Sequence, residues 1–321
     1  MKAIVQEGSG SADVLHLREV DKPVVTDGSV LVRVRAASVN ALDWHSVHGG
    51  KMLEVASTLM RQPNQPIRGV DVAGHVEAVG AGVTRFAPGD EVFGGAPAAF
   101  AEYALARESA LVLKPRNLSF EQAAAVGVAA RTALQGLRDH AQVKPGQRVL
   151  ISGAGGGVGT FAVQIAKALG AHVTALTSTR NLDLVRSLGP DEVIDYTKED
   201  FTRRGDRYDA VFDVAANRSV AELRRVLKPN GTLVLVGADK RGGLAIFTRI
   251  GAAFARSRLL RQRIVFYVAK ATQDDLVVLK ELIEAGKVCP AIDRTYPLSE
   301  AAEAVRYLGS GQARAKVVIT M

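Results

Sequence analysis

The stretch ISGAGGGVGT, residues 151–160, decides how the second half of this 321-residue chain is read. It is entered through RVLISGA (148–154) and left through GVGTFAVQIAKALG (157–170). The first is an apolar run of strand length, and the second is long enough and periodic enough for a helix. A glycine turn between a strand and a helix is the context a dinucleotide needs. The spaced form is Ala154-x-Gly156-x-x-Gly159. A small residue at 154 still permits a tight turn. Gly156 lets the backbone approach a pyrophosphate, and Gly159 lets helix and strand pack closely. The helix start at Gly157 and Val158 adds free N–H groups and roughly half a positive charge for the phosphates. Gly156, Gly157 and Val158 are therefore read as cofactor-binding. The alternative is a glycine turn with a structural duty only.

Downstream, strand and helix patterns alternate. HVTALTS (172–178), EVIDY (192–196), YDAVFDVA (208–215), GTLVLVGA (231–238) and IVFYVA (264–269) read as strands. NLDLVRSLG (181–189) and SVAELRRVL (219–227) read as helices. Such alternation with short connections means a parallel sheet with helices on both faces. The nearly continuous apolar strands agree with burial on both sides. Where NAD-binding folds place an acid for the ribose, about 20 residues past the turn, this chain has Ser178, with Arg180 close behind. No carboxylate lies in that turn to repel a 2′-phosphate, and a guanidinium suits phosphate geometry. The cofactor expected is NADPH. Arg180 as a solvated residue at a helix start is the competing reading.

Upstream, AIVQEG (3–8), VLHLREV (14–20), SVLVRVRAASV (29–39), VAGHVEAVG (72–80) and FAEYALARESALVLKP (100–115) are short β patterns with turns between them. SFEQAAAVGVAARTALQGLRDHA (119–141) reads as one Ala-rich helix with Ser119 as its N-cap. After residue 269 come two helical patterns and the strand AKVVIT (315–320), a tail expected to rejoin the first domain. The division expected is 1–122, a β-rich catalytic domain; 123–268, a doubly wound α/β domain; and 269–321, the return.

Composition narrows the classes. No apolar run reaches the length of a membrane span, and MKAIVQEGSG does not read as a secretory signal. Cys289 is the only cysteine, which excludes an intrachain disulfide and a thiolate zinc cluster. A reducing cytoplasm is the compartment expected. The net charge is +8, with arginines concentrated at 249, 256, 258, 261 and 263. A basic balance attracts anionic ligands, but aromatics make up only 5% and no basic-aromatic motif appears, so nucleic acid ranks last among partners.

PIRGVDVAGHVEAVGAGVTRFAPGDEVFGG (66–95) followed by SGAGGGVGTFAVQIAKALGAHV (152–173) resembles the medium-chain dehydrogenase/reductase superfamily. Within it the chain is similar to the zinc-free quinone oxidoreductase, or zeta-crystallin-like, branch. The resemblance implies a GroES-like domain, a Rossmann domain, an active-site cleft between them and a homodimer formed through the Rossmann sheet edge. It puts Ser178, Arg180 and Tyr196 near the 2′-phosphate. Thr132, Asn217, Gly237 and Phe266 fall near the nicotinamide half.

Zinc alcohol dehydrogenases of this superfamily match their three catalytic ligands to SVNALDW, RGVDVAG and VGVAART. The residues there are Asn40, Val70 and Val128. Valine cannot ligate a metal, so no metal is expected. Asp43, His45 and His48 form a local cluster, read as a polar helix rather than a ligand set.

Without a Lewis acid, reducing an electrophilic acceptor is easier than oxidising a simple alcohol. The reaction expected is hydride transfer from NADPH to a quinone or an α,β-unsaturated carbonyl. Asn40, matched beside the nicotinamide, is the candidate donor to the developing oxyanion; a bracing asparagine is the competing role. Two other functions stay open: a zinc-independent aldehyde or alcohol dehydrogenase, and an NADPH-binding redox sensor or RNA-binding crystallin-like protein. The segment LAIFTRIGAAFARSRLLRQR (244–263) puts Ile246, Ile250, Ala253 and Phe254 on one helix face. It reads as a cover for a lipophilic substrate, with a dimer seam or membrane surface as alternatives.

Overall fold

The structure is a computed structural model that describes residues 1–48, 66–236 and 261–321. Gly237 and most of the basic 244–263 segment lie outside the described residues. In chain order the protein forms β1 (Lys2–Gln6), β2 (Leu15–Glu19), β3 (Ser29–Val39), α1 (Ala41–His48), β4 (Asp71–Val79), β5 (Glu91–Gly95), β6 (Tyr103–Arg107), β7 (Leu111–Leu113), α2 (Phe120–Ala124) and α3 (Gly127–Gln135). The alternating part follows as β8 (Arg148–Ser152), α4 (Gly157–Ala168), β9 (His172–Thr177), α5 (Leu182–Ser187), β10 (Glu192–Asp195), β11 (Tyr208–Asp213), α6 (Val220–Arg225), β12 (Leu227–Leu235) and β13 (Arg263–Phe266). The chain ends in α7 (Gln273–Glu284), β14 (Ile292–Pro297), α8 (Ala301–Gly309) and β15 (Lys316–Thr320).

Two compact units result. One holds Met1–Ala129, Ala271–Glu284 and Pro290–Met321; the other holds Ala130–Lys270 and Ala285–Cys289. In the first, a seven-stranded sheet runs β14-β15-β3-β4-β5-β7, with β6 also paired to β3. Strand β3 is its spine, burying Val30, Val32 and Val34 while Arg33 and Arg35 stay exposed, as period-two alternation requires. Register brings three distant segments together. Val317 pairs with Val39, and Ser38 pairs with Asp71. Lys316, Asn40 and Asp71 therefore stand side by side at one end of β15, β3 and β4.

In the second unit six strands are all parallel, in the order β10-β9-β8-β11-β12-β13. Counted from β8 this is 3-2-1-4-5-6, the Rossmann order, as the strand–helix alternation implied. The order reverses between β8 and β11, and ligands of such sheets bind outside the carboxyl ends of the strands there. Helix α4 buries Phe161, Val163 and Ile165.

The single helix expected over 119–141 is broken. Ser119 caps α2 with a full capping box, its partner being Gln122 rather than the adjacent Glu121. The break falls at Ala125 and Val126, and α3 restarts at Gly127, where a Cβ would stand 2.0 Å from Asp71 Oδ1. Beyond α3 the chain widens into a π turn, Gly136–His140. At its start the Tyr267 hydroxyl donates to Thr132 O, with the Gly136 N–H beside it. Burial raises the Tyr267 pKa. Gly136 leaves the room: a Cβ there would lie 2.5 Å from the Tyr267 oxygen and 2.2 Å from Phe212.

Candidate functional site

The glycine turn sits between β8 and α4 with Gly156 as the N-cap residue, φ −92° and ψ 174°, and no side chain caps the helix. Its first N–H groups are thus left for something else. The tight turn itself is made one residue earlier than the spacing suggested, at Gly153, whose φ is +81°. Gly159 is obligatory for packing, because a Cβ there would be 2.0 Å from Gly153 O and 2.8 Å from Ala154 Cα. Gly156 differs: its Cβ would meet only Gly153 O, at an ordinary 3.5 Å. Space over Gly156 is open, and the fold does not use it.

Asn181 closes one side of this turn. Its side chain lies against Gly155, where a Cβ would be 2.5 Å from Asn181 Nδ2. It stands at the N-cap position of α5 but makes no capping bond. Its Oδ1 is buried without a hydrogen-bond partner in the protein. A buried acceptor left open costs stability unless a ligand donor meets it, and the sugar hydroxyls of a dinucleotide are such donors. The residues present therefore fit the cofactor. Sequence reading passed over Asn181 because an asparagine before a helix normally reads as a cap.

Ser178 opens the turn after β9, and Arg180 and Tyr196 are exposed. A carboxylate the sequence reading did not weigh, Asp195, ends the neighbouring strand β10. Its oxygens accept from Thr179 Oγ1 (2.5 Å), Thr197 Oγ1 (2.6 Å) and Thr197 N (3.0 Å). The Thr179 bond is the main cause of its lowered pKa. Asp195 braces the turn between Ser178 and Arg180.

Of the residues expected around the nicotinamide, Thr132 is buried in α3 and its carbonyl is held by Tyr267. Phe266, one residue before that tyrosine, is 40% exposed at the end of β13. The segment behind it is fixed by Gln135, which donates to Lys270 O (2.8 Å) and accepts from Lys270 N (2.9 Å). Asn217 is exposed in the loop after β11, on the switch-point side of the sheet. Of that loop, Ala215 lies against Gly153.

The first unit holds a sealed polar cluster. Lys316 and Asp71 are 3% and 0% exposed. Lys316 Nζ donates to Asn40 Oδ1 (2.6 Å) and Val39 O (3.3 Å), and lies 3.8 Å from Asp71 Oδ2. Asn40 Nδ2 donates to Asp71 Oδ2 (2.8 Å) and Ser38 O (3.3 Å). Asp71 also accepts from Ser38 Oγ (2.9 Å) and Val128 N (2.9 Å). Asp43 accepts from Asn40 N at 2.8 Å. Burial pushes the Asp43 carboxyl up to about 7, against the pull of the Asn40 N–H. Burial lowers the Lys316 pKa, opposed by Asp71 and Asp43. His48 Nδ1 lies 2.9 Å from Trp44 O and its ring stacks on Trp44. Among the described residues no group of three His, Cys, Asp or Glu side chains is arranged to hold a metal. No described helix is long and apolar enough to cross a membrane.

Residues 26–116 match the family described as alcohol dehydrogenase GroES-like domain, and residues 188–319 that described as zinc-binding dehydrogenase. The chain is 36% identical to the 2-methylene-furan-3-one reductase of Solanum lycopersicum, over 99% of this chain and 79% of that protein. It is 35% identical to the chloroplastic NADPH-dependent alkenal/one oxidoreductase of Arabidopsis thaliana, with the same coverage. The solved quinone oxidoreductase of Coxiella burnetii superposes with a TM-score of 0.87 at 32% identity, covering 100% of this chain and 99% of that one. The chain belongs to the medium-chain dehydrogenase/reductase family, in its quinone oxidoreductase branch.

Membership raises the question of zinc, since one matched family is described as zinc-binding. Of the three positions that the resemblance matches to zinc ligands, two meet on one carboxylate. Asn40 Nδ2 and Val128 N both donate to Asp71, the residue after Val70. The donor set does not fit the metal. Two of the three side chains have no ligating atom. The Asn40 oxygen is taken by an ammonium, a cation that would repel a second one.

Proposed function

We propose that this protein is an NADPH-dependent reductase of quinones and α,β-unsaturated carbonyls that works without zinc. The observation that carries the reading is the glycine turn at the switch point of the parallel sheet. It has open space over Gly156, an uncapped helix start and an unpartnered Asn181 oxygen. The names of the plant relatives and of the Coxiella burnetii structure support the substrate class.

In this reading the N–H groups at Gly157 and Val158 hold the pyrophosphate against the open face of Gly156, whose own N–H is kept by Gly153 O. Ser178, Arg180 and Tyr196 take the 2′-phosphate, and Asp195 braces their turn through its bond from Thr179. Thr132, Asn217, Gly237 and Phe266 bound the nicotinamide half. A bound dinucleotide would supply the hydride, which an enone would accept at its β-carbon while the C=C electron pair moved toward the carbonyl and left the negative charge on its oxygen. Asn40 is the donor to that oxygen, and water protonates the α-carbon. Residues 1–122 with the return 269–321 act as the catalytic domain, and 123–268 as the cofactor domain. The reading includes a lipophilic acceptor, a homodimer through the edge strand of the parallel sheet and a reducing, cytoplasm-like setting that suits a single exposed cysteine.

The test is loss of reduced-nicotinamide absorbance with NADPH and NADH over quinones, enones and aldehydes, with and without a chelator. NADPH-selective, chelator-insensitive turnover of a quinone or enone is expected. Reduction of aldehydes alone would move the assignment to a carbonyl dehydrogenase. Tight NADPH binding without any turnover would overturn the reductase reading in favour of a sensor.

A further inference from the structure

The cluster at the end of β15, β3 and β4 contains a charged group that the reaction scheme does not use. Lys316 is buried, and so is its counterion Asp71. Burying an ion pair is costly, and an apolar pair of similar size often serves stability as well or better. Its position calls for a reason beyond packing.

The reason lies in what the pair does to Asn40. A carboxamide has two nearly isosteric ends, and its orientation follows from its neighbours. A lysine ammonium has only donors, and an ionised carboxylate only acceptors. The Asn40 atom 2.6 Å from Lys316 Nζ must be the oxygen, and the atom 2.8 Å from Asp71 Oδ2 must be the nitrogen. Each neighbour alone would fix the amide, and the two agree. The ammonium also draws electron density through the amide, strengthening the far N–H groups as donors. One of those hydrogens is firmly held by Asp71. The other spans 3.3 Å to Ser38 O, a stretched bond that a better acceptor can replace.

We propose that Lys316 is a positioning residue of the reductase, a buried cation that locks Asn40 with its amide hydrogens as the only groups it can offer an acceptor oxygen. This rests on the reductase reading above. Without the lock, the Asn40 oxygen can turn to the place of the nitrogen, where it would repel the developing negative charge.

Lys316→Met combined with Asp71→Asn removes both charges and retains an oxygen for Val128 N–H. The double variant is expected to melt within a few degrees of the unsubstituted protein. Its NADPH affinity should stay within about twofold while kcat on an enone falls about tenfold or more. A pair that served only packing would give full kcat once the fold was retained, and that result would overturn the proposal. Selective 15N-asparagine labelling supplies a readout that does not depend on turnover. In the unsubstituted protein the Asn40 side-chain amide signals, assigned through their loss in Asn40→Ser, should stay separate and exchange slowly with water. Rapid exchange would show that the amide is not locked. If the unsubstituted protein reduces no quinone or enone, the reductase reading fails, and the amide signals still decide whether Lys316 holds Asn40.

Discussion

At the glycine turn of the parallel sheet, bare backbone and open space make the site. At the end of β15, β3 and β4, charge and enclosure make it. The turn spends almost no side chains: Gly156 has room above it, and Gly159 is needed only for close packing. The cluster commits every polar atom of Asn40 and Asp71 to a neighbour. The difference teaches where each region can be damaged. An open turn is complementary to something that arrives later, so a change there is felt by the ligand. A sealed cluster is complementary to itself, so a change there is felt first by the fold.

The sharpest break in that comparison would come from Lys316→Met alone. It leaves Asp71 buried with no cation, and a loss of about 3–5 kcal/mol of unfolding free energy is expected in denaturant titration. Wild-type stability would mean the cluster is less enclosed than described. Gly159→Ala follows, with about 1–3 kcal/mol lost because its Cβ strikes the Gly153 carbonyl. NADPH binding should fall with it. Gly156→Val makes the opposite case, with an unchanged melting temperature but NADPH affinity lower by about tenfold or more. A fall in stability at 156 would erase the distinction between the two glycines. Arg180→Glu should weaken NADPH by about tenfold with little change for NADH, since one charged hydrogen bond is worth about 1.5–3 kcal/mol. Equal losses would remove the 2′-phosphate assignment.

The smallest effect belongs to Asp43. Its folded-state pKa of about 7 lies above the ordinary carboxylate value. The native state therefore holds a proton that the unfolded chain has released, and stability falls as pH rises from about 4 to 7. The groups that set this value include Asp71, Lys316 and the N–H groups of Asn40 and Gly69, with Arg68 nearby. Asp43→Asn should flatten that part of the profile of melting temperature against pH. An unaltered slope would assign it to other groups.

Much of the parallel sheet was legible because burial on two faces leaves apolar runs, and glycine marks where backbone must turn or approach. Gly156 and Gly159 stand out for that reason. Legibility ended where partners are far apart in sequence. Nothing near Lys316 points to Asn40 or Asp71, and only strand register joins them. Asp195 reads as an ordinary strand end until Thr179 and Thr197 are seen on its oxygens. The break before Gly127 was hidden too, since a glycine in an Ala-rich run is tolerable and the reason for this one is a carboxylate on a strand. Gly237 and residues 244–260 lie outside the described residues.

The hydroxyl of Tyr267 meets the Thr132 carbonyl of a helix completed more than a hundred residues earlier in the chain. During synthesis, that helix leaves the ribosome before this partner has been made. The helix before the first strand of the alternating fold thus owes one of its contacts to a residue translated after the last strand, and that contact cannot form before the whole sheet has been made.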